Sequence, residues 1–304
     1  MSVLKWLLAL ILVSVLPSVV NAEPHCPGNV TGLPFRLVQH SQVVVPVTIN
    51  NTSHFDFLVD TGAQVTTVDP ALAAELHLKS EGTAGVTGVG AYARAPLTQL
   101  ESVGAGSHLV ENVLAVIQNL GQTQLADRRV RGVLAGNFLE HFDLLIDYPH
   151  EILCLDDSTQ MRARVKGQHI ALSAQPLSQG SAVRQKLIIA VHLSGIAKRQ
   201  LQLQLDSGSN VPLLYDAGQD LGHLQTVSTP LQGRGTDGQQ HAFAVLVGQD
   251  LQVGPHSLHQ VPFVTPVGAG RAPSKADVDG LLPAVLFQRV FVNYTDHYVV
   301  LEPW

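Results

Sequence analysis

Phe57-Leu58-Val59-Asp60-Thr61-Gly62-Ala63 ends an apolar run on an acid, a hydroxyl residue and a glycine, and Leu203-Gln204-Leu205-Asp206-Ser207-Gly208-Ser209 does the same 146 residues later. In each stretch a strand-like segment delivers a carboxylate to a fixed point. The glycine behind it permits a sharp backbone course that a Cβ resists. One such tripeptide is ordinary turn chemistry. Two in matching surroundings mark an internal duplication, so the surroundings decide the reading.

They match. Val43-Val44-Val45-Pro46-Val47-Thr48-Ile49 and a polar turn at Asn50 to His54 precede the first acid, and Leu187-Ile188-Ile189-Ala190-Val191-His192-Leu193 and a turn at Ser194 to Lys198 precede the second. Each half therefore presents a hairpin whose second strand carries the acid. Gly88-Val89-Gly90 and Gly233-Arg234-Gly235 follow at offsets of 28 and 27 residues, and the glycines of Val130-Arg131-Gly132-Val133-Leu134 and Val278-Asp279-Gly280-Leu281-Leu282 at 72 and 74. A bulky stretch closes each half, Phe138 to Tyr148 in the first and Leu286 to Tyr294 in the second. Short apolar strands between turn signals, with one modest helix per half, predict an all-β architecture. That helix is expected at Pro70 to Leu78, with Asp69 as its cap and Pro70 in the first helical position.

The paired Asp-Thr/Ser-Gly loops and the later apolar-Gly-apolar-apolar segments resemble the aspartic proteases of the pepsin-like and retroviral (retropepsin-like) type. The resemblance covers nearly all of the chain after residue 35. It implies a two-lobed fold of similar barrel-like lobes around a cleft, with Asp60 and Asp206 as the catalytic pair. By the same resemblance Thr61 and Ser207 would lock the two catalytic loops together through hydroxyl-to-backbone bonds, Gly62 and Gly208 would permit their close approach, and Ser209 would bond the outer oxygen of Asp206. The stretch Val86 to Tyr92 falls where the family has its flap, so Gly88, Gly90 and Tyr92 are flap candidates. The chain departs from the pattern in three places: the Tyr-Thr-Gly flap signature is absent, Ala63 lacks the hydroxyl that Ser209 offers, and Asn293 stands where the first half has Asp147.

The ends of the chain and its composition set the setting. Lys5, the apolar run Trp6 to Leu16 and the small residues Val20-Asn21-Ala22 read as a signal peptide over 1–22, because the apolar run is only about half the roughly 20 residues a membrane span needs. Residues 23–160 are expected to form the lobe carrying Asp60 and residues 161–304 the lobe carrying Asp206, joined by the polar stretch Asp156 to Gln168. A net charge of −6 and a pI near 6.1 argue against nucleic acid as a partner. Cys26 and Cys154 are the only cysteines. They form one disulfide in an oxidising compartment or stay two thiols. Fourteen histidines include no His-Glu-x-x-His, so no metal and no cofactor are expected.

The expected function is secreted or periplasmic hydrolysis of peptide bonds, by a water activated between Asp60 and Asp206. The other readings are a catalytically silent relative that binds a peptide or protein in the cleft, and a hydrolase of another kind on the same fold. Both acids lie in one polypeptide, which predicts a monomer. Only Glu23 to Leu33 separate the expected signal cut from the first strand; they hold no Lys or Arg, and at full extension reach roughly 40 Å, too short to fill a long cleft and return. Protein beginning at Glu23 should therefore cleave a susceptible peptide with a specific activity independent of enzyme concentration. A lag ending in N-terminal trimming, or activity that falls on dilution, contradicts that expectation.

Overall fold

The computed structural model describes residues 26–88, 91–173, 186–194, 200–215, 230–234, 240–267 and 278–304. The expected signal peptide and Gly90 lie outside them. The first half contains strands β1 (Gly32–Pro34), β2 (Arg36–Val38), β3 (Gln42–Ile49), β4 (His54–Val59), β5 (Thr66–Val68), β6 (Gly82–Gly88), β7 (Ala91–Ala105), β8 (His108–Ile117), β9 (Val130–Leu134), β10 (Asp143–Asp147) and β11 (Ile152–Asp156). Its helices are α1 (Pro70–Glu75), α2 (Gln122–Ala126) and α3 (Gly136–Leu139). The second half supplies β12 (Ile170–Ala171), β13 (Ile188–Leu193), β14 (Leu201–Asp206), β15 (Leu213–Leu214), β16 (Leu231–Arg234), β17 (Gln240–Val253), β18 (His256–Pro266), β19 (Gly280–Pro283), β20 (Phe287–Asn293) and β21 (Tyr298–Pro303).

The duplication read from the sequence is a duplication of topology. One sheet runs β2-β3-β4-β9-β5-β8-β7-β6 and the other β13-β14-β19-β15-β18-β17-β16, so that from β3 and β13 onward the orders correspond strand for strand. β4–β9 and β5–β8 are parallel, as are β14–β19 and β15–β18. Extra pairings, β3 with β7 and β13 with β17, bend each sheet back on itself at the strand that precedes the acid-bearing one. The acid-bearing strands are buried on both faces: Phe57 and Val59 point into the main core, whereas Leu58 packs with Val38, Val44 and Val130. That two-sided burial is why the run Phe57-Leu58-Val59 before the first acid is continuously apolar; before the second acid the buried Gln204 interrupts the run.

A third sheet, β1-β11-β10-β20-β21-β12, is built from both halves. Leu144 pairs with Val292 and Ile146 with Val290 across its centre. Leu144 and Ile146 face the main core, which draws residues from both lobes, while Leu145 faces a smaller cluster with Phe291, Met161 and the cysteines. The lobes are thus joined by a common sheet as well as by the chain. Cys26 and Cys154 form a disulfide, Cα atoms 5.8 Å apart, that fastens residue 26 to β11. The polar stretch expected as a connection is anchored: Arg162 bonds Asp143 at 2.8 Å and Asp296 at 2.9 Å, one carboxylate from each half, and Met161 is fully buried.

Two local readings shift. Helix α1 starts where expected, Asp69 Oδ1 accepting the Leu72 N–H at 2.8 Å, but ends at Glu75 because His77 turns into the left-handed region at φ 52°. The turn before β4 is carried by Asn50 and Asn51, with φ of 50° and 56°, and His54 already belongs to the strand.

The paired glycines Gly132 and Gly280 are required by close approach. A Cβ on Gly132 would stand 2.2 Å from the Phe57 ring, and one on Gly280 only 1.9 Å from the Leu213 carbonyl oxygen. A Cβ on Gly132 would also stand 2.6 Å from the Thr67 carbonyl oxygen, but the backbone approach at Gly280 is closer, so Gly280→Ala should be the worse of the two substitutions. Gly132→Ala should cost about 1–3 kcal/mol as overpacking does, and Gly280→Ala more. Chemical denaturation of both variants checks this, and wild-type stability in Gly280→Ala contradicts it.

Candidate active site

The two acid loops meet between the lobes. Asp60 leaves β4 with its N–H bonded to Leu134 O of β9 at 3.0 Å, and Asp206 ends β14 beside Pro283 of β19. Parallel pairing in each lobe therefore fixes where each acid emerges. The hydroxyl residues that follow interlock. Thr61 Oγ1 donates to Leu205 O at 2.9 Å and accepts the Ser207 N–H at 3.0 Å. Ser207 Oγ donates to Val59 O at 2.8 Å and accepts the Thr61 N–H at 3.1 Å. Both side chains are buried, and each hydroxyl spends its donor and an acceptor position on the opposite lobe.

This interlock presses each glycine against the other lobe's acid. A Cβ on Gly62 would lie 2.5 Å from Asp206 Cγ, and one on Gly208 would lie 2.5 Å from Asp60 Cγ. Neither glycine adopts a left-handed backbone, so the sharp turn does not demand glycine; the close approach that the resemblance implied does. Each inner oxygen is held by two backbone N–H groups. Asp60 Oδ1 accepts from Gly62 at 2.8 Å and Ala63 at 2.9 Å, and Asp206 Oδ1 from Gly208 at 2.8 Å and Ser209 at 3.0 Å.

Burial and proximity oppose ionisation. Burial raises the Asp60 pKa, against the pull of its bonds from Ala63, Asp206 and Gly62. Asp206 is pushed well above the usual carboxylate range, by burial first and the neighbouring Asp60 charge second. Two carboxyls so placed titrate as a pair and take up one proton between them. Three tyrosines lie within reach of this charge: Tyr148 and Tyr215 are held neutral by burial and then by Asp206, and Tyr294 by burial, then Glu140 and Asp60.

The support residues behave as a set, with one correction. The Ser209 hydroxyl donates to Val211 O at 2.9 Å rather than to the outer oxygen of Asp206, because its backbone N–H already serves that carboxylate and the side chain turns to its own loop. Ala63 and Ser209 thus serve their acids equally, through the backbone. Asn293 repeats the work of Asp147: its Oδ1 accepts the Asp296 N–H at 2.7 Å, as Asp147 Oδ1 accepts the His150 N–H at 3.2 Å. Gly88 and Tyr92 stand at the end of the β6–β7 hairpin, where Gly88 pairs with Ala91 and Thr87 with Tyr92. In the second lobe β16 and β17 form the corresponding hairpin. Among the described residues no three His, Cys, Asp or Glu side chains gather as metal ligands.

Sequence reasoning missed two cross-lobe amides, Gln204 Nε2 to Gly62 O at 2.8 Å and Gln42 Nε2 to Gly208 O at 2.6 Å. Nothing in their spacing signals them. Tyr148 and Tyr294 did carry a signal, the same 146-residue period as the acids.

Residues 45–138 match the model of a family described as aspartyl protease. No curated protein matches the chain. Among solved structures it is similar to an aspartic proteinase from Irpex lacteus, with a TM-score of 0.52 at 12% identity over 90% of this chain and 97% of that one. It also aligns with a retropepsin-like aspartic protease from Rickettsia conorii, with a TM-score of 0.31 at 21% identity over 41% of this chain and 87% of that one. The fold is that of the two-lobed aspartic proteases. The sequence match lies in the first half, at residues 45–138, and the likeness over both halves is one of fold.

The raised pKa of Asp206 sets a pH dependence of stability. Between the ordinary value of 3.8 and the raised one, the folded chain keeps a proton that the unfolded chain has released, so stability falls as pH rises through that window. Asp206→Asn has no charge to bury there. It should melt with the wild type at about pH 3 and several degrees above it at about pH 7. A difference that does not change with pH contradicts the assignment.

Proposed function

We propose that the protein is a secreted or periplasmic aspartic endopeptidase that cleaves extended peptide segments lying between its lobes. The observation that carries this reading is the carboxylate pair itself, two acids from different lobes pressed together by reciprocal hydroxyl bonds. A water between Asp60 and Asp206 has an ionised base on one side and an acid on the other. Asp60 takes a proton from the water as its oxygen attacks the scissile carbonyl carbon. Asp206 donates its proton to the carbonyl oxygen, giving a neutral gem-diol intermediate. Collapse transfers a proton to the leaving nitrogen, breaks the C–N bond and returns the pair to its shared-proton state. In this reading the hairpins β6–β7 and β16–β17 cover a bound peptide and exclude water. The apolar leader and the Cys26–Cys154 disulfide support an oxidising destination outside the cytoplasm. With both acids on one chain, the enzyme works as a monomer.

A peptide-library survey from acidic to neutral pH, using protein that begins at Glu23, tests the activity and reads out its preference. Asp60→Asn and Asp206→Asn should each lower kcat by at least about 100-fold while the fold persists. Full cleavage by either variant contradicts the mechanism, and retained peptide binding without any cleavage by the wild type would favour a binding module instead.

A further inference from the structure

The peptide group between Gly62 and Ala63 is bonded at both ends. Its N–H, on Ala63, donates to Asp60 Oδ1 at 2.9 Å, and its C=O, on Gly62, accepts from Gln204 Nε2 of the second lobe at 2.8 Å. The peptide group between Gly208 and Ser209 is bonded in the same way: its N–H donates to Asp206 Oδ1 at 3.0 Å, and its C=O accepts from Gln42 Nε2 of the first lobe at 2.6 Å. A carbonyl oxygen only accepts, so these bonds fix which end of each amide faces the loop. Two relays result, amide to peptide to carboxyl, each running from one lobe to the acid of the other.

The duplication does not account for them. Gly62 and Gly208 are equivalent positions 146 residues apart, but at that period Gln204 corresponds to Leu58 and Gln42 to Ile188. Gln42 opens β3, whereas Gln204 stands in β14 two residues before Asp206. Amides from non-equivalent strands thus converge on equivalent carbonyls. Both are buried, where an apolar side chain would pack without the penalty of desolvating an amide. Gln42 stands there although its Oε1 is buried without a donor.

We propose that Gln42 and Gln204 are positioning residues, each setting the acidity of the opposite lobe's acid through the peptide group that lies between them. The consequence for catalysis rests on the protease reading above. A donor on a peptide C=O polarises the group and strengthens its N–H as a donor, by about 10–30% per bond. It also holds the peptide plane so that the N–H stays aimed at the carboxylate oxygen. A stronger N–H bond favours the ionised carboxyl, so loss of either amide raises the pKa values of the pair, which titrates as a unit. Among the described residues, the other titratable groups that bear on the pair are Tyr148 and Tyr215 on Asp206, and Tyr294, itself near Glu140, on Asp60. Burial keeps all three tyrosines neutral while the carboxyls titrate.

The experiment measures kcat/KM against pH on one cleavable peptide with the wild type, Gln42→Met, Gln204→Met and the double variant, methionine filling the space of the amide without a donor. Both limbs of the profile should move to higher pH by about 0.3 unit in each single variant and about twice that in the double. A lower maximum with unmoved limbs means that the amides only brace the loops, and it overturns the inference; movement to lower pH overturns it too. NMR of the wild type keeps the test independent of how the variants fold. As the pair ionises, the side-chain amide proton that sits on the glycine carbonyl should shift downfield in both glutamines with the midpoints of the pair, while the other proton on the same nitrogen moves much less. Equal movement of the two protons reports only a through-space field and overturns the inference. If the wild type cleaves no peptide, the protease reading falls by itself, and the NMR titration decides the relay.

Discussion

The reciprocal bonds of Thr61 and Ser207 are the constraint on which the rest of the site depends. Each hydroxyl bridges a carbonyl and an N–H of the opposite lobe, so neither loop can settle without the other. Four buried hydrogen bonds of about 1 kcal/mol each are not a large stabilisation. Their consequence is geometric. By drawing Gly62 onto Asp206 and Gly208 onto Asp60, they bring two carboxyls to a separation at which both cannot readily ionise. The unusual protonation state thus follows from a bond pattern that does not involve the carboxyl groups.

The duplication supplies two copies of each part, and the chemistry needs the copies to differ. Backbone donors hold Asp60 and Asp206 alike, so the difference between Ala63 and Ser209 does not separate the two acids. Their surroundings do: Asp206 is buried and Asp60 half-buried, and burial is the leading cause that raises the pKa of both. The proposed division of labour, base on the first lobe and acid on the second, rests on that inequality. Departure from the family pattern at Asn293 has no bearing on it, since Asn293 caps the turn after β20 as Asp147 caps the turn after β10.

Much of this was legible in the sequence because the same physical demand was written twice. The paired acids, the paired glycines at 132 and 280 and the apolar runs before them repeat because each lobe must pack a two-sided strand and let backbone pass close behind it. The start of α1 was legible from a cap and a proline, its end was not, since nothing in the sequence fixes His77 in a left-handed conformation. Gln204 was invisible for another reason. In Leu203-Gln204-Leu205 it reads as the solvent-facing member of an alternating strand, yet it is buried because the opposite lobe covers it. Gln42 is hidden in the same way. Residues whose partners lie across the lobe interface carry no local pattern, and pairing between lobes is a property of the assembled fold.

The shared proton is the central claim, and the carboxyl carbons of Asp60 and Asp206 report it directly. Following both by NMR in the intact protein from acidic to neutral pH should give two linked steps, each seen at both residues, with the upper step well above the ordinary carboxylate range of about 4. Two independent single-step titrations near that ordinary value would contradict the account.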